Sequence, residues 1–554
     1  MVDLKAKPFY LSDADIAWVE ATKKSMTEEE MLQQLFFPLA ETTDEDALQA
    51  LLQHNPGGVL FRPKKSEALR SANTWLQSHS KIPLLIAANL ENGGNGVISD
   101  GTFFANPMQA AAAKDPQLQA YRLALVSCRE AKAVGCNYSF APVADIDINY
   151  HNPITNVRTF GSDPQTVKAC TCAYVEAARK SGMVTAAKHF PGDGVDEVDQ
   201  HILTSVNSLS CEAWDETYGH VYQALIDACI LTIMAGHIAM PAYQRKINPD
   251  FPDKLVPATL SPELLGGLLR GKLGFNGMII TDSSRMLGFH SAMDRAQAVP
   301  YCIEAGCDML LFNKNYEEDL AFMTNGLAQG ILSRQRLEEA VTRILATKAA
   351  IGLHKEGKLF TPEAICCEEH KRWVAECADE AVTLVKDTQQ LLPICPDKHR
   401  RVLLGITENR NQWERLTNRY ARKLEAAGFQ VTVWTPDMAQ KAEKVEQWRK
   451  QYDLVIWVGN IAPQSNKTTN RLNWTTPVDV GMNAPWFTEV IPTIFISMQN
   501  PYHLLDVPMV KTYINTYSDH DIIIDAVVDK LTGKSAFIGK NPVDPFCGKE
   551  YLKW

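Results

Sequence analysis

The chain has 554 residues, of which 45% are hydrophobic, so it can bury a large core and should divide into at least two domains. Its net charge of -10 comes from 65 acidic and 55 basic residues spread along the sequence. This balance argues against a broad polyanion-binding surface, so nucleic acid is not an expected partner.

The amino-terminal stretch MVDLKAKPFYLSDADIAW lacks the basic and then apolar signature of a secretory signal, and no apolar run approaches the length of a bilayer span. We therefore expect a cytoplasmic protein without a membrane partner. The thirteen cysteines show no CxxC pair with zinc-site spacing, so free thiols in a reducing compartment are expected.

The predicted elements begin with a helix capped at Thr27 that carries acidic residues in its first turn. Eight short apolar runs then recur with helical stretches between them. Apolar strands that alternate with helices indicate parallel strands buried on both faces, and eight such units predict a (β/α)8 TIM-like barrel. The runs lie at 35–38, 57–61, 84–88, 135–143, 184–188, 231–235, 278–281 and 309–312.

Polar residues fall just past the carboxyl ends of several of these runs. Asn89, Lys188 with His189, His237 and Asp282 all occupy such positions. Barrel enzymes build their active sites from these strand ends. The pattern therefore predicts one site that gathers residues from distant parts of the sequence.

The pattern changes from about residue 369. The helical stretch HKRWVAECADEAVTLVKD leads to β-rich runs such as RVLLGIT, DLVIWVGNI and PTIFISMQN, with helical segments between them. This alternation predicts a second α/β domain with a mainly parallel open sheet. We expect the barrel over 1–360, a helical linker over 361–395 and the second domain over 396–554. No GxGxxG or Walker loop occurs in the second domain, so no nucleotide site is expected.

The stretch AAKHFPGDGVDEVDQH combines a strand with a loop rich in acid and base groups. Asp199 and His201 are two residues apart, so both side chains project to one side of an extended segment. A carboxylate beside an imidazole fixes the tautomer of the ring and favours its proton-donating form. A solvated acidic loop with an incidental histidine is the alternative reading of this pair.

Three segments together resemble glycoside hydrolase family 3, and specifically its β-N-acetylglucosaminidase branch. They are NPITNVRTFGSD around Arg158, KHFPGDGVDEVDQH, and PATLSPELLGGLLRGKLGFNGMIITDSSRM around Asp282. Their order and spacing, with SMQNPYHLLDVP in the second domain, extend the likeness over nearly the whole chain. The resemblance implies a retaining exo-β-N-acetylglucosaminidase that cuts a small soluble glycan without a cofactor.

The resemblance also implies catalytic roles. It makes Asp282 the nucleophile, where a carboxylate below the sugar ring would trap the oxocarbenium-like centre. His201 would protonate the departing oxygen, and Asp199 would orient and charge its ring. The alternative for Asp282 is a helix N-cap ahead of Ser283, and for the dyad it is a structural pair.

Lys188, His189 and Arg158 resemble the family's residues for the innermost sugar, where charged donors would hold ring hydroxyls. An ion pair at the barrel rim is the alternative for Arg158. A metal site built from three histidines and Asp199 is conceivable, but the adjacent Lys188 cation and the absence of HExxH-like spacing argue against it. We expect no metal.

The chain also departs from the branch. Asp193 replaces the histidine of KHFPGHGD, and Val195 replaces the acidic residue that follows. Asn89 stands where an aspartate normally contacts remote hydroxyls, and Ser283 replaces a second acidic residue after the nucleophile. An amide at Asn89 both donates and accepts, so the selectivity for hydroxyl groups is expected to differ.

Three alternative functions remain open. A phosphorylase is possible because a histidine leaves less negative charge near an incoming phosphate than a glutamate would. A family-3 β-glucosidase and an inactive sugar-binding or scaffold protein are the others. The sequence does not indicate the leaving group or the oligomeric state.

Overall fold

The computed structural model describes residues 2–355, 362–435, 438, 445–473 and 484–554. The chain divides into two compact units. The first comprises Met1–Phe104, Ala120–Asn152 and Pro164–Lys371, and the second comprises Ala105–Gln119, Pro153–Asp163 and Arg372–Trp554. The domain bounds expected from the sequence stay a prediction, and residues 356–361, where the expected barrel meets the expected linker, lie outside the described residues.

The first unit contains a ring of short parallel strands. The strands of this unit, of which β7 and β9 form a separate pair outside the ring, are β1 Phe36–Phe37, β2 Leu39–Ala40, β3 Gly58–Phe61, β4 Leu85–Ala88, β5 Tyr138–Ser139, β6 Val184–Phe190, β7 Ser205–Val206, β8 Thr232–Ala235, β9 Ile238–Ala239, β10 Met278–Thr281 and β11 Leu310–Leu311.

Seven of these strands form one parallel sheet in the order β10-β8-β6-β5-β4-β3-β2. The ring is completed because β1, which directly precedes β2, pairs with β11, and a parallel bridge joins Ile280 of β10 to Met309 beside β11. All eight apolar runs therefore contain barrel strands, and the barrel prediction is confirmed. The barrel strands are buried along their length, which explains their continuous apolar pattern.

Helices alternate with the barrel strands and continue into the second unit. They are α1 Asp13–Ser25, α2 Glu28–Gln34, α3 Glu45–Leu52, α4 Ser66–His79, α5 Pro107–Ala112, α6 Pro116–Ala133, α7 Pro164–Lys180, α8 Cys211–Trp214, α9 His220–Asp227, α10 Pro241–Ile247, α11 Leu287–His290, α12 Arg295–Glu304, α13 Tyr316–Ala328, α14 Arg334–Ala350, α15 Glu368–Ala381, α16 Trp413–Ala426, α17 Val445–Gln451 and α18 Asp521–Leu531. The predicted cap at Thr27 is confirmed, since its side chain accepts from Glu30 N at the start of α2.

The second unit is built on a six-stranded sheet. Its strands are β12 Thr383–Asp387, β13 Arg401–Glu408, β14 Gln430–Val433, β15 Leu454–Asn460, β16 Thr493–Met498 and β17 Thr512–Asn515. The order is β12-β17-β16-β15-β13-β14, and every pair is parallel except β12 with β17. The predicted linker thus contains β12 as well as α15.

Residues that alternate along the strands of this sheet enter two separate hydrophobic clusters. Leu404 and Ile456 belong to one cluster, whereas their neighbours Leu403 and Trp457 belong to the other. Because successive strand residues point to opposite faces, the sheet is covered on both sides. This confirms the predicted α/β open-sheet architecture.

Candidate active site

The site is assembled at the carboxyl ends of the barrel strands. Strand β6 carries Lys188 and His189, which are joined by a cis peptide bond and are both buried. The Lys188 ammonium lies 2.6 Å from Glu91 Oε1 and donates to Asn89 Oδ1 at 3.4 Å. Asn89 and Glu91 follow strand β4, so the predicted binding residues Asn89 and Lys188 lie together. The buried ion pair fixes the position of the cation.

His189 is held between two carboxyl groups. Its Nδ1 donates to Asp145 Oδ2 at 2.7 Å, and its Nε2 lies 3.7 Å from Asp282 Oδ2. Burial alone would lower the pKa of His189, but the charge and hydrogen bond of Asp145, with the charge of Asp282, raise it above its ordinary value. The ring therefore favours its charged form beside Asp282.

Asp282 directly follows strand β10. Its Oδ1 accepts from Ser283 N at 2.6 Å, and its own N donates to Ala235 O at 2.7 Å. Burial opposes ionisation, but the charge of His189, the largest opposing influence, and the hydrogen bond from Ser283 N help to outweigh it, and the pKa of the carboxyl is lowered. The side chain is 12% exposed, so an ionised carboxylate is open to a ligand.

His237 completes the surroundings of Asp282 as a neutral ring. Its Nε2 donates to Ser283 O at 2.9 Å, and its Nδ1 accepts from Thr259 Oγ1 at 3.0 Å. Burial is the largest influence and lowers the pKa of His237 to about 4. Because the neutral ring donates to the carbonyl of Ser283, it stabilises the backbone next to Asp282 without adding charge.

The loop after β6 carries the dyad. His201 Nδ1 donates to Asp199 Oδ1 at 2.6 Å, and the same oxygen accepts from His201 N at 2.9 Å. Asp199 is fully buried, whereas the His201 side chain is 26% exposed. Since Nδ1 is bound to the carboxylate, the proton available for transfer sits on Nε2. The two residues have the geometry of an oriented acid and base.

Six of the seven predicted site residues lie in the first unit, at the strand ends or in the loop after β6. They are Asp282, His201, Asp199, Lys188, His189 and Asn89. Arg158 ends the 3-10 turn Asn156–Arg158, which belongs to the second unit. The roles assigned to all seven stay predictions.

The sequence interpretation missed three residues of this site. Glu91 pairs with Lys188, Asp145 pairs with His189, and Gln200 binds the backbone of His237. Asp145 lies past the fourth apolar run, so its strand-end position was a usable signal. Glu91 lies three residues past the third apolar run and so carried a similar signal, whereas Gln200, in the loop, carried none of this kind.

Among the residues that the structure describes, no group of three or more His, Cys, Asp or Glu is arranged to hold a metal ion. Within the same ranges, no helix combines the length and apolar character needed to cross a membrane. In the described part of the chain, the thirteen cysteines are thiols that form no disulfide.

A parallel barrel whose carboxyl strand ends carry the site, here with carboxylates and imidazoles, is the arrangement found in (β/α)8 enzymes. Residues 26–347 match the family model described as "Glycosyl hydrolase family 3 N terminal domain". The chain belongs to glycoside hydrolase family 3.

Several relatives are similar over their full length. A Cellulomonas fimi protein named "Beta-N-acetylglucosaminidase/beta-glucosidase" is 42% identical over 99% of both chains. A solved beta-glucoside phosphorylase bound to 2FGlc is also 42% identical, with a TM-score of 0.95 and coverage of 98% of this chain and 99% of that one. A family-3 beta-N-acetylglucosaminidase from Paenibacillus sp. str. FPU-7 shares the fold, with a TM-score of 0.78 at 21% identity over 94% of this chain and 99% of that one.

Proposed function

We propose that the protein is a retaining exo-β-glycosidase that releases a terminal β-linked N-acetylglucosamine or glucose unit from a small glycan. One observation carries the proposal: the segment that follows Asp282 is bonded to the Asp199–His201 dyad, because Leu287 N donates to His201 O at 3.1 Å. Retention requires such a pair, with one group to form the glycosyl-enzyme and one to move protons. The Cellulomonas fimi relative, named for both sugars, supports this choice of substrates.

In the first step Asp282 attacks the anomeric carbon while the bond to the leaving oxygen breaks. The departing oxygen takes the electron pair of that bond and a proton from His201 Nε2. In the second step water attacks the anomeric carbon and returns a proton to His201, and the ester bond to Asp282 breaks. Asp199 orients the ring in both steps and stabilises it whenever it carries the proton.

The sugar would be held by the cations around Asp282. Lys188 and His189 are fixed by Glu91 and Asp145, so they can donate to ring hydroxyls without reorganisation. On the family resemblance we assign Asn89 to the same sugar, and we propose a sugar-binding role for Arg158 as well. These steps use only side chains and water, so we propose a cofactor-independent reaction. We also propose a cytoplasmic location, with which cysteines that form no disulfide in the described residues are consistent.

The proposal is tested with aryl β-N-acetylglucosaminide, aryl β-glucoside and a 2-fluoro sugar that accumulates as the glycosyl-enzyme. We expect turnover of at least one aryl substrate, and covalent labelling that maps to Asp282 by peptide mass spectrometry. Asp282→Ala should abolish labelling, whereas Asp294→Ala, which removes an exposed helix cap, should not. Label on another residue, or sugar binding without turnover, would refute the assignment and favour a non-enzymatic sugar-binding protein.

Phosphorolysis is a second candidate, because the beta-glucoside phosphorylase matches this chain over its full length. A histidine that has given up its proton is neutral, so it repels phosphate less than a carboxylate would. Phosphate would then attack the glycosyl-enzyme in place of water and leave as a sugar 1-phosphate. Repeating the aryl assay with inorganic phosphate decides between the two: sugar 1-phosphate indicates a phosphorylase, and free sugar alone indicates a hydrolase.

A further inference from the structure

Asp193 is a buried carboxyl in the loop after β6, and three hydrogen-bond donors converge on it. Its Oδ1 accepts from Asn152 Nδ2 at 3.0 Å and from Gly194 N at 2.7 Å. Its Oδ2 accepts from Gln200 Nε2 at 3.3 Å. Only a carboxylate offers acceptors to all three, because an amide would turn an N–H towards one of the donors.

Gln200 connects this carboxyl to the dyad. It lies between Asp199 and His201 in sequence, is 1% exposed, and accepts from His237 N through Oε1 at 2.8 Å. That bond fixes the amide so that Nε2 points to Asp193. The backbone of Gln200 is also closely packed, since a Cβ on Gly288 would lie 2.4 Å from its carbonyl oxygen. Displacing Gln200 would therefore move both dyad residues.

A negative charge at Asp193 is costly. Burial and the nearby charge of Asp145 raise the pKa of the Asp193 carboxyl to about 7. A neutral amide of the same size would fill the space without this cost. The charge therefore needs a reason other than packing, and the hydrogen bond to Gln200 supplies one.

We propose that Asp193 is a positioning residue for proton transfer, which through Gln200 holds the Asp199–His201 dyad in reach of the leaving-group oxygen. This inference rests on the proposed glycosidase function. It assigns a role to a residue at which the chain departs from the family pattern.

The test compares Asp193→Asn with the wild type on two substrates at about pH 8, where Asp193 is mostly ionised. We expect kcat/KM to fall about 10- to 100-fold on an alkyl β-glycoside, as the loss of a hydrogen bond to a charged group implies. On a 2,4-dinitrophenyl β-glycoside, whose leaving group needs no proton, the fall should stay within about twofold. A variant that was merely less stable would lose activity equally on both.

A second variant provides a rescue. When Gln200→Glu is added to Asp193→Asn, the carboxylate introduced at position 200 can accept both from the side chain amide introduced at position 193 and from His237 N. Most of the alkyl-glycoside activity should therefore return. Glu197→Gln is the matched control, because Glu197 is an exposed acid of the same loop that bonds to His151 instead.

Equal losses on both substrates, no loss on the alkyl glycoside, or no recovery in the double variant would overturn the positioning role. If the wild type turns over neither substrate, the proposed function fails and this inference fails with it.

Discussion

At His201 the proposed acid function depends on one imidazole nitrogen, because the other is bound to Asp199. Removing the ring in His201→Ala should lower kcat/KM about 10²- to 10⁴-fold for a poor leaving group, the usual size of a general-acid contribution. With a 2,4-dinitrophenyl glycoside, kcat/KM should fall far less, since its phenolate departs without protonation. Steady-state kinetics on the two substrates measure the difference.

His151→Ala is the control for this prediction. His151 is an exposed ring that also pairs with a loop carboxylate, Glu197, but it lies outside the proposed site. Removing this ring should leave kcat/KM unchanged on both substrates. A His201→Ala variant with the same loss on both leaving groups would contradict the role of His201 as the acid.

The sequence was informative about the residues proposed to contact the sugar and much less about the residues that hold them. Asp282, Lys188 and His189 could be placed at one site because each lies at or just past the carboxyl end of an apolar run. The pairing of Glu91 with Lys188 and of Asp145 with His189 becomes evident only when strands distant in sequence are brought side by side. A charged residue whose role is to hold another side chain in place produces no periodic pattern in the sequence.

The loop between β6 and β7 determines where the dyad lies. Strand β7 pairs with β9, and Asn207 just beyond it donates from Nδ2 to Gly192 O at 3.1 Å, which ties the two ends of the loop together. Asn207→Ala should remove about 1 kcal/mol of local stability and so speed amide exchange in residues 191–204 about fivefold. Hydrogen exchange followed by mass spectrometry measures this change.

The expected kinetic signature of Asn207→Ala is a larger loss of kcat/KM on an alkyl glycoside than on a dinitrophenyl glycoside. Asn276→Ala is the matched control, because it removes two similar side chain bonds to the backbone near the amino terminus. Unchanged exchange in the loop of Asn207→Ala would show that this tie is unimportant.

The two-residue strands β7 and β9 could not be predicted from the sequence. A pair this short has no period to detect, and Ser205 and Ile238 share no local pattern. The eight barrel runs were detectable for the opposite reason, since burial on both faces makes each of them almost wholly apolar.

At the scale of the whole molecule, the sequence predicted the order of a barrel followed by a mainly parallel open sheet. It did not predict that the short segments Ala105–Gln119 and Pro153–Asp163 group with the second unit. Such membership is decided by contacts with residues far along the chain, and composition does not encode it. Arg158 lies in one of these segments.

Stability of the whole molecule should fall in mild acid because each unit buries a neutral histidine. Burial lowers the pKa of His237 to about 4 and that of His503 to about 3, from an ordinary value of 6.5. Between these values the unfolded chain binds protons that the folded chain does not. The stabilisation from each neutral histidine is therefore fully present above pH 6.5. It is lost as the pH falls towards 4 for His237 and towards 3 for His503.

Each histidine should lower the free energy of unfolding by about 1.4 kcal/mol per pH unit below 6.5. Urea unfolding of the wild type, His237→Asn and His503→Asn at pH 7 and pH 5 measures this dependence. Each variant should be less stable at pH 7 but lose less on acidification, whereas the exposed His151→Asn should keep the wild-type dependence. Because the remaining titratable groups are common to all four proteins, a variant with an unchanged pH dependence would show that its histidine is not held neutral by burial.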